Sequence, residues 1–452
     1  MVSGAYQTHR FEGAADLVAL LEGVTNSQAL CASLPLAETG RIVSKAMLAA
    51  NPGAISRTKD CFSLPAGQRG LFTVDYDPAH GVTPLTRNEL LQALFAVAPG
   101  LAVAGCVWWA SGSSNIFNGD VEAQGVRGQR VYFMARDLED VPRAMETLTA
   151  RMWLHGFGRI EISSSGGLLE RTLVDPAFGQ CARIDFIGGA VTLAPVSQRR
   201  GRPVVICDGG WADTRAVLPD LTTEEANKVS LLIEEAKNAR KGAALAARHA
   251  WRSQRISEGL PMLMKRGLSA GDAEAVIGRS VDAAYAGVLL GPFELTLVDD
   301  AGHREVVTVE HILNHRDQYQ GRDLLCPLNP KHRGGAPDCR LFLMSPSPVA
   351  YSLDDGGQVY RLRKVADRIE CCRGQRGELI EQLLAVASRW DDVYMTDGGP
   401  VLLERGRALS LTANRLLFLV ATRCALFLKG KGAPTPMDLP REVADLLLTA
   451  LN

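Results

Sequence analysis

The sequence predicts an α+β protein with α/β-like alternation, and three observations lead to this prediction. Strand-like and helix-like stretches alternate through residues 1–215. An Ala/Glu/Lys/Arg-rich helical stretch dominates residues 216–290, and short strand patterns with Gly/Pro/Asp turns return from residue 291. We therefore expect one domain over 1–215, a basic helical module over 216–290 and a smaller α/β module over 291–452.

In the first part, the spacing of Thr86 and Glu89 is that of a capping box, and a helically spaced apolar run follows it. Alternation and β-prone composition predict strands, whereas apolar residues three and four apart predict a helix. The expected elements are strands at 106–110, 130–135 and 159–163 and a helix at 140–155.

In the later parts, Thr222 and Glu225 form a second capping box, which predicts a helix running to about residue 256. Further helices are expected at 269–287, 376–389, 411–428 and 439–451. Short strands are expected between residues 291 and 362.

Composition limits the class of protein. Of 452 residues, 46% are apolar and 22% charged, which is ordinary for a protein with buried cores. The net charge of −1 means that affinity for polyanions must come from local patches. The ten cysteines include no Cys-x-x-Cys, and the apolar run 416–428 is short and contains Arg423. The first residues lack a basic start followed by an apolar core, so we expect no secretory signal. We expect a cytoplasmic protein with reduced thiols and no membrane partner.

Residues 71–78, LFTVDYDP, contain two aspartates at alternate positions of an apolar run. On a strand, Asp75 and Asp77 project to the same face and repel each other unless a cation lies between them. Oxygen ligands suit Mg²⁺ or Mn²⁺. Pro78 ends the strand because it has no N–H to donate. The alternative is an exposed strand end with two solvated acids.

A third carboxylate is expected at the end of another apolar run, where Asp175 follows Leu173 and Val174. Three carboxylates that hold two metal ions can activate a 3′-hydroxyl and stabilise departing pyrophosphate. Taken alone, Asp175 also fits a turn or cap residue, and Asp185 is the second choice for this ligand.

The order of these motifs resembles the archaeo-eukaryotic primase superfamily, the primase-polymerases. Its first motif is an apolar strand with Asp-x-Asp, matched by Asp75 and Asp77, and its third is an apolar residue followed by Asp, matched by Val174 and Asp175. The stretch 163–186, SSSGGLLERTLVDPAFGQCARIDF, is similar to the branch found in primase-helicases of phages, plasmids and integrated elements. The specific resemblance covers residues 55–190.

This resemblance implies a catalytic domain built around a central mixed sheet. It also implies primer synthesis or DNA extension on a single-stranded DNA template from nucleoside triphosphates. Asp75, Asp77 and Asp175 would be the catalytic residues and the ligands of Mg²⁺ or Mn²⁺.

The sequence departs from the family at its second motif, Ser-x-His, whose histidine is expected to contact nucleotide phosphates. No histidine lies between His80 and His155, and the matching place is Gly128-Gln129-Arg130. Arg130 could bind phosphate through its guanidinium fork, or it could be a surface arginine at a strand start. The substitution leaves open a non-catalytic replication initiator or single-stranded-DNA-binding scaffold on the same fold.

Other candidates for triphosphate binding lie near these motifs. Serines in the loop after strand 106–110 offer hydroxyls or are simply turn formers. Arginines that flank Asp175 offer phosphate contacts or pair with carboxylates such as Glu170 and Asp185. These candidates are Ser111, Ser113, Ser114, Arg171 and Arg183.

Residues 236–266 have eight lysines and arginines against one acid, Glu258, with Trp251 among them. This bias favours contact with a phosphate backbone and an unstacked base, although a solvated helix face is the usual alternative. The candidate nucleic-acid-binding residues are Lys237, Arg240, Lys241, Arg248, Trp251, Arg252 and Arg255, with Lys265 and Arg266 beyond them. Arg199, Arg200 and Arg202 form a second basic run.

Cys326, His332 and Cys339 offer ligands for structural zinc, but their spacing matches no standard finger and a metal-free module is favoured. The segment from residue 334 to 362 and the last sixteen residues resemble parts of mobile-element primase-helicases that precede the helicase. No Gly-x-x-x-x-Gly-Lys-Ser/Thr loop occurs, so a helicase partner would be separate or lie outside this chain. An unrelated transferase that holds a nucleotide-sugar through Asp-x-Asp is the remaining alternative.

Overall fold

A computed structural model describes the chain over residues 3–44, 47–79, 81–265, 269–299, 302–330, 335–352, 358–364, 367–388, 390, 392–404, 407–430 and 435–451. The fold is mixed α/β, which confirms the predicted class at that level. The chain divides into two compact units. The first comprises Met1–Glu161 and Glu170–Ala239, and the second Ile162–Leu169 and Arg240–Asn452. The three-part division into 1–215, 216–290 and 291–452 stays a prediction.

The amino-terminal half consists of short strands and a few helices. Its strands are β1 (Ser3–Gln7), β2 (Leu30–Cys31), β3 (Leu34–Pro35), β4 (Thr39–Val43), β5 (Phe62–Ser63), β6 (Gly70–Tyr76), β7 (Cys106–Ala110), β8 (Ile116–Asn118), β9 (Val121–Gln124), β10 (Gln129–Ala135), β11 (Arg159–Ile162), β12 (Leu168–Arg171), β13 (Ile184–Asp185), β14 (Val196–Gln198) and β15 (Val204–Cys207). Its helices are α1 (Ala14–Glu22), α2 (Arg87–Val97), α3 (Val141–Leu154), α4 (Thr214–Val217) and α5 (Thr223–Lys265), and 3₁₀ turns lie at Pro99–Val103, Leu138–Asp140 and Pro176–Gly179.

The central sheet of the first unit has the strand order β15-β7-β10-β6. Every pairing in this sheet is antiparallel, so the prediction of a mixed sheet in this part of the chain is wrong. Strand β10 lies between β7 and β6, which places Arg130 directly opposite Asp75 on one side and Trp109 on the other. An apolar pattern predicts that these strands exist, but it does not predict which strands pair.

Side chains alternate between the two faces of this sheet, and each face has its own core. On one face, Phe72, Val74 and Phe133 pack with residues of α2 and α3. On the other face, Leu71 and Tyr132 pack with residues of α1. Asp75 and Arg130 belong by alternation to the α1 face.

Both predicted capping boxes are present. Thr86 accepts from the N–H of Glu89, and the Glu89 carboxylate accepts from the Thr86 N–H at the start of α2. Thr222 and Glu225 make the same reciprocal bonds before α5. Such caps satisfy N–H groups that have no partner within the helix.

The second unit contains the seven-stranded sheet β16-β22-β21-β20-β19-β17-β18, which is mixed because β16 and β22 are parallel. The strands after α5 are β16 (Val288–Leu290), β17 (Glu294–Val298), β18 (Arg304–Thr308), β19 (Asp323–Leu324), β20 (Cys339–Phe342), β21 (Val349–Ser352), β22 (Val359–Arg363), β23 (Asp367–Cys372), β24 (Val393–Thr396), β25 (Gly399–Glu404), β26 (Arg407–Ser410), β27 (Cys424–Lys429) and β28 (Thr435–Pro436). The helices are α6 (Ala270–Tyr285), α7 (Val309–Asn314), α8 (Arg316–Tyr319), α9 (Arg376–Ala387), α10 (Ala413–Arg423) and α11 (Arg441–Leu451).

One predicted helix is too long. The helix expected over 411–428 ends at Arg423, and the chain continues as β27, which pairs in parallel with β23. A short apolar run fits a buried strand as well as a helix, so periodicity could not separate the two. Across the described ranges, no helix combines the length and apolar character needed to cross a membrane.

Candidate active site

The two aspartates of the first motif lie at the carboxyl end of β6. Asp75 is the sixth residue of the strand and its side chain is 9% exposed. Asp77 follows the strand, and Pro78 comes directly after it. The exposed-acid alternative is therefore wrong for Asp75, because its carboxyl group is buried.

Arg130 lies opposite Asp75 in the sheet and joins two carboxylates. Its Nη1 pairs with Asp75 Oδ1, and its Nε donates to Asp185 Oδ1 at 2.9 Å. Tyr132, two residues along β10, donates its hydroxyl to Asp185 Oδ2 at 2.6 Å. The Arg130 side chain is only 12% exposed, so the surface-arginine alternative is wrong. Arg130 is instead a buried cation between acids.

Asp175 is held beside the end of β6 by the backbone. Its N–H donates to the carbonyl oxygen of Asp75 at 3.0 Å. Its Oδ1 accepts from the N–H of Ala177 at 2.9 Å, which caps the 3₁₀ turn Pro176–Gly179, and its Oδ2 lies 3.1 Å from Arg183 Nη2. The structure therefore brings Asp175 to Asp75, as the sequence predicted.

The apolar run that ends at Asp175 is not a strand. Strand β12 ends at Arg171, and residues 172–175 are irregular. Asp175 also caps the 3₁₀ turn that follows it, which was the alternative interpretation. Asp175 therefore caps this turn and lies beside Asp75 at the same time. Both roles are compatible because capping uses one carboxylate oxygen and leaves the other for a cation.

The electrostatics of this cluster disfavour ionised Asp75. Burial is the largest effect on Asp75, and together with the nearby carboxylates of Asp77, Asp185 and Asp175 it raises the pKa of Asp75 to about 7, although Arg130 lowers it. Burial also raises the pKa of Asp77, against the opposing effect of Arg130 and Arg127. An additional cation at this position would relieve the cost of both ionised carboxylates.

Asp75, Asp77 and Asp175 are the residues that would hold Mg²⁺ or Mn²⁺, and their oxygen donors suit these ions. Within the described ranges, no group of three or more His, Cys, Asp or Glu side chains is arranged to hold a metal ion as it stands. Arg130 and Arg183 bind two of the three carboxylates. The donor chemistry therefore fits, and a metal ion would replace contacts that these arginines make.

The loop after β7, which contains Ser111 and Ser113, approaches Asp77 beside Gly128. A Cβ atom on Gly128 would meet Ser111 Oγ, and it would lie 2.6 Å from Asp77 Oδ1 and 2.9 Å from Ser113 Oγ. Ser111 and Ser113 are hydrogen-bonded to each other at 2.9 Å. Their hydroxyls are therefore close to the first motif, and glycine at position 128 leaves room for them.

Ser114 has a different role. It is fully buried, donates to the Gly128 carbonyl at 2.8 Å and accepts from the Arg127 N–H at 2.9 Å. These bonds hold the loop against the start of β10, so its hydroxyl is a structural group and not the expected triphosphate donor. The Arg171 guanidinium lies 3.8 Å from Glu161, which agrees with the alternative that this arginine pairs with a carboxylate.

Sequence reasoning missed the contributions of Arg200 and Gln198. The Arg200 guanidinium lies 3.6 Å from the ring centre of Trp109, and burial lowers the pKa of Arg200. Gln198 donates to the carbonyls of Gly112 at 3.0 Å and Ser114 at 2.9 Å. The basic run at 199–202 was the available signal for Arg200, but its stacking partner depends on tertiary structure.

The basic helical stretch is partly neutralised by acids. Lys237 pairs with Glu170 at 2.5 Å, Arg252 with Asp282 at 2.7 Å, and Arg255 with Glu258 at 3.5 Å. Such exposed pairs remain available for exchange with phosphate because each is weak in water. 

Three further basic residues of the stretch differ in exposure and in the groups that they contact. Arg240 and Lys241 are exposed, and Arg248 lies 3.5 Å from the ring centre of Tyr285. Arg266 lies outside the described residues. The exposed cations remain candidates for contact with a nucleic-acid backbone.

Trp251 is a core residue, contrary to the expectation that it stacks on a base. It is 7% exposed, and its indole N–H donates to the Leu328 carbonyl at 2.8 Å. The aromatic interleaved with the basic residues therefore contributes to the core of the second unit. Periodicity alone did not show which way this ring faces.

The zinc prediction involves Cys326, His332 and Cys339. The two cysteines are buried, and His332 lies outside the described residues. The preference for a metal-free module stays a prediction.

Comparisons of the chain with protein families, curated proteins and solved structures find no match.

Proposed function

We propose that this protein is a DNA primase-polymerase of a mobile genetic element, which synthesises primers or extends DNA by two-metal nucleotidyl transfer. The observation that supports the proposal is the convergence of Asp75, Asp77 and Asp175. Asp75 and Asp175 are joined by a 3.0 Å backbone hydrogen bond, and all three carboxyl groups influence one another electrostatically. The resemblance to primase-polymerases motivates the choice of reaction.

In this reaction the 3′-hydroxyl of the growing strand attacks the α-phosphorus of a nucleoside triphosphate. A new O–P bond forms and the hydroxyl proton is released to water. The bond between the α-phosphorus and the oxygen shared with the β-phosphorus breaks, and pyrophosphate leaves. Bound Mg²⁺ or Mn²⁺ would stabilise the charge that develops on the phosphate oxygens. Asp75, Asp77 and Asp175 would supply the carboxylates that hold these ions.

Arg130 and Arg183 would bind the triphosphate. Both guanidinium groups already form ion pairs with carboxylates of the cluster, and both lie about 5 Å from the ring centre of Phe178. A guanidinium that leaves a carboxylate can bind phosphate oxygens in the same forked geometry. Ser111 and Ser113 would add hydroxyl donors beside Asp77.

Single-stranded DNA would be the template, with Arg240 and Lys241 among the cations that contact its backbone. Their exposure supports this role, because a phosphate chain needs accessible positive charge. A replicative helicase is the partner that the resemblance implies, either as a separate chain or beyond this one.

The test is metal-dependent nucleotide incorporation on a single-stranded template by the full chain. Asp75→Ala should abolish primer formation, whereas Asp60→Ala, at an exposed aspartate, should leave it unchanged. Circular dichroism of both variants controls for folding. Primer synthesis by Asp75→Ala at the parental rate would show that the site is assigned wrongly.

A second candidate is a non-catalytic single-stranded-DNA-binding scaffold on the same fold. The observation that favours it is Arg130, which stands where the family has histidine and is bound to both Asp75 and Asp185. If Arg130 stays paired with Asp75, its positive charge would prevent a metal ion from binding this carboxylate. DNA binding without incorporation, across metals and templates, would support this candidate and exclude the polymerase.

A further inference from the structure

The second unit contains a cavity of about 430 Å³ that is separate from the aspartate cluster of the first unit. Helix α10 forms one wall, and β25 and the turn at residues 344–346 contribute others. This volume is within the range of protein pockets that hold small molecules.

The charge of the lining is predominantly positive. Four cationic side chains line the cavity, and one carboxylate faces them. They are Arg316, Lys364, Arg415 and Arg423, with Asp392. The bidentate pair of Arg423 with Asp392, at 2.7 and 2.5 Å, uses this carboxylate.

Arg316 and Arg415 each donate to an uncharged group. Arg316 Nη1 donates to the Leu343 carbonyl at 3.3 Å, and Arg415 Nη1 donates to the Ser410 carbonyl at 2.6 Å. A carbonyl does not cancel the charge of a guanidinium, and each arginine has further N–H donors. An anionic ligand would therefore complete the hydrogen bonding of this wall.

The amino terminus of α10 adds to the positive potential. Thr412 caps this eleven-residue helix, and Asn414 and Arg415 of its first turn line the cavity. Backbone N–H groups and the helix dipole favour an anion at this end. The cavity also extends to Thr422 and Arg423 of the last turn, so the cationic side chains are the main reason to expect an anion.

The cavity also has an apolar side, which restricts the ligand further. Phe418, Leu402 and Leu419 line it, and the Arg316 guanidinium lies 4.0 Å from the Phe418 ring centre. A small inorganic anion would leave this surface uncovered. A ligand with a phosphate group on a planar or apolar body would contact both sides.

We propose that this cavity binds a phosphate-bearing nucleotide, either free or as one unit of a single-stranded nucleic acid. The phosphate binds Arg316, Arg415 and the start of α10, and the base packs against the apolar side formed by Leu402, Phe418 and Leu419. The proposal does not depend on the polymerase proposal, since every residue it uses lies in the second unit.

The experiment measures binding to the full chain in EDTA, where metal-dependent triphosphate binding at the aspartate cluster is removed. The probes are ATP by isothermal titration calorimetry and a fluorescein-labelled oligothymidylate by anisotropy, with pyrophosphate as a competitor. Arg415→Glu reverses one charge of the wall. Arg373→Glu, at an exposed arginine outside the cavity, is the matched control.

ATP should bind, and Arg415→Glu should weaken it about tenfold or more, because a charge-assisted hydrogen bond becomes a repulsion. Arg373→Glu should stay within about twofold of the parent. If oligothymidylate binds with this dependence on Arg415 and ATP does not bind, the ligand is one unit of a single-stranded nucleic acid. No binding of any probe, or equal effects of the two variants, overturns the proposal. Nucleotide incorporation on a template is measured in a separate assay, so failure of the polymerase proposal is scored separately.

Discussion

Replacing Asp75 with asparagine removes a carboxyl group whose ionised form is disfavoured by the fold. Burial raises its pKa from 3.8 to about 7, so the folded state holds the proton about three pH units longer than the unfolded state. At about 1.4 kcal/mol per unit, ionised Asp75 costs on the order of 4 kcal/mol of stability.

The sign follows from proton uptake. Between pH 4 and pH 7 the folded state binds more protons at Asp75 than the unfolded state, so the contribution of Asp75 to stability falls as pH rises. The loss is absent below about pH 4 and complete above about pH 7. Asparagine does not titrate, so the Asp75→Asn variant lacks this loss of stability. The variant should therefore gain about 4 kcal/mol in free energy of unfolding relative to the parent between pH 4 and pH 8.

The assay is urea unfolding in EDTA, followed by tryptophan fluorescence. Four of the six tryptophans, Trp108, Trp109, Trp153 and Trp211, lie in the first unit, so the signal reports mainly on it. Asp60→Asn is the matched control and should show no such trend. A difference between Asp75→Asn and the parent that stays constant across this pH range would refute the argument from burial.

Added Mn²⁺ extends the same experiment. A cation that binds only the folded state stabilises it in proportion to the logarithm of its concentration. Mn²⁺ should stabilise the parent at pH 8, where Asp75 is ionised, and much less at pH 5. It should have little effect on Asp75→Asn at either pH, and equal stabilisation of both proteins would place the metal elsewhere.

Three further predictions concern the surroundings of the cluster. Gly128→Ala should destabilise the first unit by about 1–3 kcal/mol in urea unfolding because its Cβ meets Ser111, whereas Gly13→Ala, which meets nothing within 4 Å, should not. Tyr132→Phe should cost about 1–3 kcal/mol in the same assay, because Asp185 loses a buried donor, and a neutral result would show that this bond is dispensable. Affinity for single-stranded DNA should fall steeply with salt in anisotropy titrations, and a salt-independent affinity would exclude backbone contacts.

The sequence predicted the local features that depend on neighbouring residues. Both capping boxes, strand 106–110 and the helix after Asp140 are present in the structure. Asp75 lies near the end of a strand, as expected, because an apolar β-prone run before Pro78 has few other solutions. These signals are local in the chain, and so they could be read without tertiary information.

The features that sequence reasoning missed depend on strand register and on contacts between segments that are distant in the chain. Arg130 lies opposite Asp75 only because β10 pairs with β6 in one register, and a shift by one residue would turn it to the other face. Asp185 reaches Arg130 and Tyr132 from a separate strand, β13. The burial of Trp251 likewise depends on which segment packs against it.

The most direct test of the central claim compares nucleotide incorporation by Asp175→Asn and Asp185→Asn on a single-stranded template with Mg²⁺ or Mn²⁺. Asp175 would hold a metal ion, whereas Asp185 positions Arg130 and Tyr132. We predict that the parent incorporates nucleotides, that Asp175→Asn loses activity by about a hundredfold or more, and that Asp185→Asn loses less. A parent that incorporates nothing with either metal, or an Asp175→Asn variant as active as the parent, would contradict the account.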